Sequence, residues 1–386
     1  MMDFELNEDQ IAFADLARNF AKKEFEPNAA HWDEEQIFPV EALKKAGELG
    51  LCGLYAPDDI GGLGLSRLDA SIIFEELAMG CTSTTAFLTI HNMVAWMIAK
   101  FGNAETRESW CPGLTAGDIF GSYCLTEPNA GSDAGSLKTS AKREGDDYLI
   151  NGSKIFISGA GATDVLIVMA RTGEAGPKGI SAFAVDAKTN GISYGRKEQK
   201  MGWNSQPTRM ITFEDVRVPA SAMLGNEGDG FKIAMKGLDG GRINIGACSI
   251  GTAQAALQRA RDYLLERSQF GKTLSNFQAL QFKLADMTTQ LVAARQMIRM
   301  AASRLDTEHP DRTTYCAMAK QFATDAGYTV TDEALQIFGG NGYIKEYPME
   351  RYLRDNRVHR ILEGTNEIMR LIIARRALMQ DTSELL

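Results

Sequence analysis

The sequence predicts an α+β protein in three consecutive parts: a helical segment, an antiparallel β segment and a second helical segment forming roughly a four-helix bundle. Three observations carry this expectation. Apolar residues recur at helical spacing up to about Gly117. From Ile119 that period gives way to short runs of β-formers separated by turn residues. After the Gly225–Gly230 loop the helical period returns and holds to the end of the chain. The expected domains are residues 1–118, 119–225 and 226–386, because 386 residues exceed the roughly 100–200 that one domain usually takes.

Asn7 with Gln10 three residues on has the form of a capping box, and Phe13, Leu16 and Phe20 then recur at helical spacing up to Pro27. Pro39 opens a second helix over Val40–Leu49, which Gly50 stops. A loop over Ala56–Leu65 carries Gly61, Gly62 and Gly64, after which Leu68–Met79 and Thr84–Phe101 read as longer, largely buried helices. In the β segment, Asp164–Arg171, Ile180–Asp186 and Arg209–Phe213 read as strands. Asn151-Gly152, between Tyr148-Leu149-Ile150 and Ile155-Phe156-Ile157, signals a hairpin turn. In the last segment Leu280, Leu284, Met287, Leu291, Ala294, Ile298, Ala301 and Leu305 alternate steps of four and three, the seam of a bundle helix. Ile250, Ala253, Leu257, Ala260 and Leu264 form a facing stripe, with Thr313–Phe338 and Asn366–Met379 as the two further helices.

Composition excludes several function classes. Hydrophobic content of 44% and charged content of 24% are ordinary for a water-soluble globular chain, and no window approaches the roughly 20 apolar residues of a membrane span. Ala86–Ala99 is the nearest, but it is too short and carries His91 and Asn92, so a buried core helix explains it better. A net charge of -9 argues against broad binding to nucleic-acid phosphates. Six scattered cysteines without a CxxC pair and four histidines without ligand-like spacing predict neither a disulfide framework nor a metal site. Met1–Phe25 carries acidic residues and no apolar stretch, unlike a secretory signal or an Arg-rich presequence. The expected location is the cytoplasm of a bacterium, or the mitochondrial matrix for a processed eukaryotic chain.

Four segments have residue types suited to chemistry. Tyr123–Asp133 starts as a strand and opens into a turn rich in glycine and hydroxyls, which can press backbone N–H groups against a flat ligand or phosphate. A plain interdomain loop has the same composition. Phe156-Ile157-Ser158-Gly159 places an aromatic ring and a hydroxyl at a strand end. Gly339-Gly340-Asn341-Gly342-Tyr343 is glycine-rich but follows a helix rather than a strand, unlike a dinucleotide fingerprint and much like a helix C-cap. In Ile361–Ile368 a carboxylate, Glu363, follows two apolar residues and precedes a glycine. Thr365 is a plausible N-cap, with Glu367 in the first turn beyond it. Desolvation would raise the pKa of Glu363 toward that of a general base, while a capping glutamate in a loop is the plainer alternative.

In combination, TEPNAGSD (126–133), FISG (156–159), RSQFGKTL (267–274) with FQALQFKLADM (277–287), QIFGGNGY (336–343), RYLRDNRV (351–358) and ILEGTNEI (361–368) resemble the acyl-CoA dehydrogenase family, colinearly over essentially the whole chain. The resemblance implies a middle β-barrel between the two helical domains and a homotetramer with FAD between domains and subunits. It assigns Tyr123, Cys124, Leu125, Thr126, Phe156, Ile157 and Ser158 to the flavin, and Ser132 to the place where flavin and acyl-CoA meet. Arg267, Phe270, Gln278 and Gln336, Ile337, Phe338, Gly339 and Gly340 are implied at the pyrophosphate and adenosine portion, partly from a neighbouring subunit. Asp239, Gly240, Gly241, Arg242 and Gly364 are implied at the acyl-CoA, with Thr365, Asn366 and Glu367 returning to the cofactor.

Glu363 matches the family's catalytic base, which takes the proton α to the thioester carbonyl while a hydride leaves the β-carbon for flavin N5. The Glu363 backbone N–H and a ribityl hydroxyl are implied to hold the carbonyl oxygen. One branch of the family takes its base from the helix position matching Gly241, which glycine cannot supply. GWNSQPTR (202–209), GGRINI (240–245) and ILEG with Leu362 in place of the frequent tyrosine most resemble the isobutyryl-CoA branch. That implies conversion of isobutyryl-CoA to methacrylyl-CoA in valine catabolism, with electron-transfer flavoprotein as acceptor. Butyryl-CoA and 2-methylbutyryl-CoA are the alternative substrates. An oxidase or a DNA-binding protein on the same scaffold are remoter alternatives.

Overall fold

The computed structural model describes residues 5–379 and 381, so the outermost residues of the first and last expected domains, together with Gln380, lie outside the described residues. Helix α1 (Glu8–Phe20) opens on the expected capping box, with Asn7 Oδ1 accepting from the Gln10 N–H at 2.8 Å and the Gln10 side chain accepting from the Asn7 N–H. A π-type turn over Ala21–Phe25 extends it. Then come α2 (Ala29–Glu34), α3 (Val40–Glu48), α4 (Arg67–Gly80), α5 (Thr82–Phe101) and α6 (Ala104–Ala116). Helix α5 lies in the core. His91 and Asn92 are there because each is satisfied: His91 Nε2 donates to Leu114 O at 2.9 Å, and Asn92 bridges Leu51 O and Leu54 N.

The β segment comprises β1 (Gly121–Cys124), β2 (Ser140–Glu144), β3 (Asp147–Ser158), β4 (Val165–Arg171), β5 (Ile180–Asp186), β6 (Ile192–Tyr194), β7 (Thr208–Pro219) and β8 (Met223–Leu224). The sheet order is β6-β7-β3-β2-β4-β5-β8, with β1 joined to β4. Pairing is antiparallel except for β1 with β4 and a single contact of β2 with β4. The sheet curls round one core in which Ile150 and Ile157 of β3, Leu166 and Val168 of β4, Phe183 of β5 and Phe213 of β7 meet.

The expected hairpin at Asn151-Gly152 is not there. Both residues lie inside β3, and the turn is made by Gly145 and Asp146, flanked by the Glu144–Asp147 pair. Gly152 serves a different need: a Cβ there would meet Thr139 Oγ1 at 2.6 Å, and the β3–β7 register slips at this point. Asn151 and Asp215 exchange two hydrogen bonds of 2.9 Å across that irregularity. An Asn-Gly pair marks a bulge here because close backbone approach also demands glycine.

Helix α7 (Gly230–Glu266) spans the molecule. A small hairpin of β9 (Ser268–Gln269) and β10 (Lys272–Thr273) turns the chain into α8 (Gln278–Asp306), followed by α9 (Arg312–Phe338), α10 (Gly340–Tyr343), α11 (Met349–Arg357) and α12 (Asn366–Met379). The expected seam of α8 buries Met287, Leu291, Ala294, Ile298 and Ala301, and the α7 stripe from Ile250 to Leu264 is buried throughout. Each large apolar side chain so buried contributes roughly 1.5–3 kcal/mol. No helix among the described residues is long and apolar enough to cross a membrane.

Candidate active site

Glu363 sits in the loop between α11 and α12, at φ 57°, with Gly364 at φ 88°. A left-handed backbone is unfavourable for glutamate, so the loop has to be held from outside. Two buried cations do so. Arg242 Nε donates to the Glu363 carbonyl at 3.3 Å, and Lys320 Nζ donates to the Gly364 carbonyl at 2.8 Å and to Asn366 Oδ1 at 2.9 Å. Arg242 is anchored in turn by Asp239 at 2.7 Å, whose other oxygen accepts from Thr313. Beyond the loop, Thr365 Oγ1 accepts from Ile368 N at 3.3 Å, the N-cap expected for α12.

The Glu363 carboxylate lies against α7. A Cβ on Gly241 would meet Oε2 at 2.5 Å, so the absence of a side chain at 241 makes room for the carboxylate. Oε2 is shut from solvent and has no hydrogen-bond partner. Burial pushes the carboxyl up to about 7, against the downward pull of Arg242 and Lys320. Lys320, itself fully buried, is pushed down to about 7 for the same reason of desolvation. Tyr123, whose hydroxyl is also buried and unpartnered, is close enough to feel the Glu363 charge, and burial raises it well above its ordinary range. On the other side Ala86, Trp203 and Ile245 form a small apolar cluster against which Leu362 and Val358 pack.

The ends of β1 and β3 lie side by side near this carboxylate. Ile155 N donates to Thr126 O at 2.9 Å, and Ser122 Oγ donates to Ser158 O at 2.7 Å. Beneath the Thr126–Asp133 turn, Lys154 and Glu127 form a buried ion pair of 2.8 Å. Glu127 also accepts the N–H groups of Lys138 and Thr139. Phe156 stands at φ 59° and is 64% exposed. A planar ring system fits this surface: it offers an exposed aromatic in Phe156 and an orphan phenol in Tyr123. Among the residues expected there, Cys124, Leu125 and Ile157 turn their side chains into the core, so only their backbones can face a ligand. Ser132 is exposed on the turn, and Ser158 is half-buried.

The remaining expected residues divide. Gly240, beside Gly241 on α7, also faces a close neighbour, here Arg67 of α4. Asn366 spends its side chain on Lys320, Thr324 and Asp325, while Glu367 is exposed in the first turn of α12. Arg267, Phe270, Gln278, Gln336, Gly339 and Gly340 are exposed and cluster at the opposite end of the bundle, whereas Ile337 and Phe338 are buried. Phe338 stacks on Tyr263 at 4.2 Å. From Gly241 to the end of α7 beside Arg267 is about 39 Å at the usual helical rise. Within one chain the structure therefore does not bring this second group to Glu363.

Sequence reasoning missed Lys320, and it gave no role to Trp203 and Ile245 beyond their place in the motifs at 202–209 and 240–245. Lys320 is the one charged residue on the buried face of α9, which otherwise carries apolar residues and threonines, and that is the only signal it leaves.

Three family profiles match the chain: "Acyl-CoA dehydrogenase, N-terminal domain" over residues 7–118, "middle domain" over 122–216 and "C-terminal domain" over 228–378. Isobutyryl-CoA dehydrogenase from Bos taurus, a mitochondrial protein, is 54% identical over 97% of this chain and 90% of its own. The protein of the same name from Dictyostelium discoideum is 56% identical over 96% and 89%. Among solved structures, "PigA with FAD and proline" superposes with a TM-score of 0.94 at 29% identity, covering 97% of this chain and 99% of the other. Profiles over all three segments, together with relatives above half identity along the whole chain, show that this protein belongs to the acyl-CoA dehydrogenase family.

Proposed function

We propose that the protein is an FAD-dependent dehydrogenase that converts a short branched acyl-CoA, isobutyryl-CoA, to its α,β-unsaturated product methacrylyl-CoA, a step of valine catabolism. The observation that carries this reading is the Glu363 carboxylate: its Oε2 shut from solvent and unpartnered, seated in the space left by Gly241 and poised near neutrality. A general base works best with a pKa near the operating pH and with nothing competing for its lone pair. The relatives named isobutyryl-CoA dehydrogenase support the substrate, and the apolar cluster of Ala86, Trp203, Ile245 and Leu362 offers a wall for a compact alkyl group.

The chain's own residues supply the proton chemistry. Glu363 Oε2 takes the proton from the carbon α to the thioester carbonyl. Arg242 and Lys320 fix the loop so that this oxygen stays on target, and their charges offset part of the cost of ionising a buried carboxyl. The Glu363 backbone N–H is the donor we assign to the thioester oxygen, where charge develops as the proton leaves. FAD, when bound, supplies the hydride acceptor for the β-carbon. We assign its ring to Tyr123, Thr126, Phe156, Ser158 and the backbones of Cys124, Leu125 and Ile157, with Thr365–Glu367 and Ser132 at its margins.

Arg267, Phe270, Gln278 and Gln336–Gly340 lie too far from Glu363 to serve the same cofactor molecule, so we assign them to the cofactor of a neighbouring copy in a homotetramer. Phe270 is 92% exposed in one chain, which suits a residue completed by a partner. Electron-transfer flavoprotein is the proposed electron acceptor, in the cytoplasm of a bacterium or in the mitochondrial matrix. Residues 1–118, 119–225 and 226–386 are the proposed domains.

The test is to add isobutyryl-CoA, butyryl-CoA and 2-methylbutyryl-CoA separately to the yellow protein without oxygen. Fastest flavin bleaching by isobutyryl-CoA is expected. A preference for another thioester overturns the substrate, and no bleaching by any of them overturns the reaction.

A further inference from the structure

We propose that His359 is a positioning residue for substrate choice: it accepts the indole N–H of Trp203 and so fixes that ring, and discrimination between branched and straight short acyl chains depends on this buried polar bracket behind the apolar wall. The proposal rests on the reading of the Glu363 site as one for a short acyl thioester. It gives a role to two buried residues, His359 and Ser249, that the proton chemistry does not use.

Trp203 stands in the loop from β6 to β7 at φ 56°, a backbone region that a bulky residue adopts only when its surroundings impose it. Here they do so from two sides. The Trp203 backbone N–H donates to Asp355 Oδ1 of α11 at 2.6 Å, and its Nε1–H donates to His359 Nε2 at 3.2 Å. Gly202 lets the loop press onto α11, because a Cβ there would meet the Arg354 carbonyl oxygen at 2.6 Å. The indole is thereby pinned at its root and at its polar edge, while its apolar surface joins Ala86, Ile245, Val358 and Leu362.

Only one arrangement of protons satisfies this bracket. An indole N–H can only donate, so His359 Nε2 must accept, and the ring hydrogen sits on Nδ1, which donates to Ser249 Oγ at 2.5 Å. His359 is fully buried, and burial, with the nearby Lys320 charge adding to it, pushes its pKa down to about 3. The ring therefore stays neutral and keeps its acceptor, whereas an imidazolium would set donor against donor. With Trp203 on one nitrogen and Ser249 on the other, the imidazole is a fixed post, and it meets the indole edge to face with centroids 5.4 Å apart.

Helix α7 joins the bracket to the base. Gly241, Ile245 and Ser249 recur at every fourth position, so successive turns of one face supply the seat of Glu363, part of the apolar wall and the anchor of His359. The segment after α11 repeats this: His359 holds the indole, Leu362 joins the wall and Glu363 carries the carboxylate. Wall and base thus share both supports. A firm wall matters because a methylene or a branch in an apolar pocket is worth only about 10- to 200-fold in kcat/KM, a margin that a tilting ring gives away.

The test uses flavin-loaded protein and reads the ratio of kcat/KM for isobutyryl-CoA to that for butyryl-CoA, which does not depend on how much of a preparation is active. His359→Leu removes the acceptor, and the ratio is expected to fall about ten-fold. His359→Gln, whose amide oxygen can stand in for Nε2, is expected to bring it back to within about three-fold of the wild type. A cycle with Trp203→Phe identifies the path: once the indole N–H is gone, His359→Leu should change the ratio by less than about two-fold. Ser249→Ala keeps the imidazole but frees it to turn, and is expected to lower the ratio about three-fold, so the proposal stays testable if His359→Leu fails to fold. An unchanged ratio in His359→Leu or in Ser249→Ala overturns the proposal. So does a fall in His359→Leu that is equally large in the Trp203→Phe background, which would make His359 an ordinary core residue. Wild-type protein that neither thioester bleaches defeats the Glu363 reading as well, whereas an unchanged ratio defeats the bracket alone, so the two failures are distinguishable.

Discussion

The two ends of the C-terminal bundle are finished to different degrees within a single chain. At the Glu363 end, backbone strain, two buried cations and a missing side chain at Gly241 converge on one carboxylate, and every link comes from the same polypeptide. At the Arg267 end, the polar and aromatic residues stand exposed on a short hairpin and at helix ends, with Phe270 almost fully in solvent. The contrast separates two demands. Proton abstraction needs a base fixed to within a fraction of an ångström, which a rigid interior provides. Holding the far part of a long cofactor needs surface complementarity, which a second copy can supply on assembly.

The sharpest way to break the first half of this comparison is Gly241→Ala. The added Cβ would lie 2.5 Å from Oε2, so the carboxylate has to move, and anaerobic bleaching by isobutyryl-CoA is expected to slow about 100-fold. Unchanged far-ultraviolet circular dichroism would show that α7 itself persists. Bleaching at the wild-type rate would mean that the seat at Gly241 does not position the base.

Varying pH tests the same end without mutation. Glu363 must be ionised to accept a proton, and burial holds it near 7. Below that value kcat/KM is expected to fall about ten-fold per pH unit, and above it to level off. A profile flat down to pH 5 would contradict a raised carboxyl.

Phe270→Asp probes the far end. In one chain the ring is solvent-exposed, so the stability of the isolated subunit should change by no more than about 0.5 kcal/mol. Titration of apoprotein with FAD is expected to show binding about ten-fold weaker, together with a shift to smaller assemblies in sedimentation, a loss of about 1.4 kcal/mol. Full FAD affinity in a dissociated variant would show that one chain completes the cofactor site.

The smallest effect is expected from Lys320→Met. Removing this cation takes away an influence that lowers the Glu363 pKa, so the rising limb of the pH profile moves to higher pH and the rate at pH 6 drops a few-fold. The Gly364 carbonyl and Asn366 Oδ1 also lose a donor, at a cost of about 1–3 kcal/mol in chemical unfolding. A limb that stays in place would limit Lys320 to a structural role.

Much of this was legible in the sequence, because the helical and β periods report which face each segment buries. The α8 seam, the α7 stripe, the capping box at Asn7 and the N-cap at Thr365 follow from local spacing and appear as expected. Glu363 stood out as a carboxylate after two apolar residues and before a glycine, but a capping glutamate in a loop has the same pattern, and it was the family resemblance that singled it out as the base. The Asn151-Gly152 turn was misplaced because glycine serves close approach as readily as reversal of direction, and only the contact with Thr139 distinguishes them. Lys320 and Arg67 were invisible for another reason. Their partners, the Gly364 carbonyl and the space beside Gly240, lie far along the chain, and no local pattern encodes such a meeting.

The most direct test of the central claim, that Glu363 removes the α-proton, is the anaerobic reaction of Glu363→Gln with isobutyryl-CoA followed by the flavin's visible absorbance. The amide keeps the shape of the side chain and the backbone bonds to Arg242 and Lys320 but cannot accept the proton. The variant should remain yellow with bound FAD and bleach at least 100-fold more slowly than the wild type. A yellow variant that bleaches at the wild-type rate would contradict the account and place the base elsewhere.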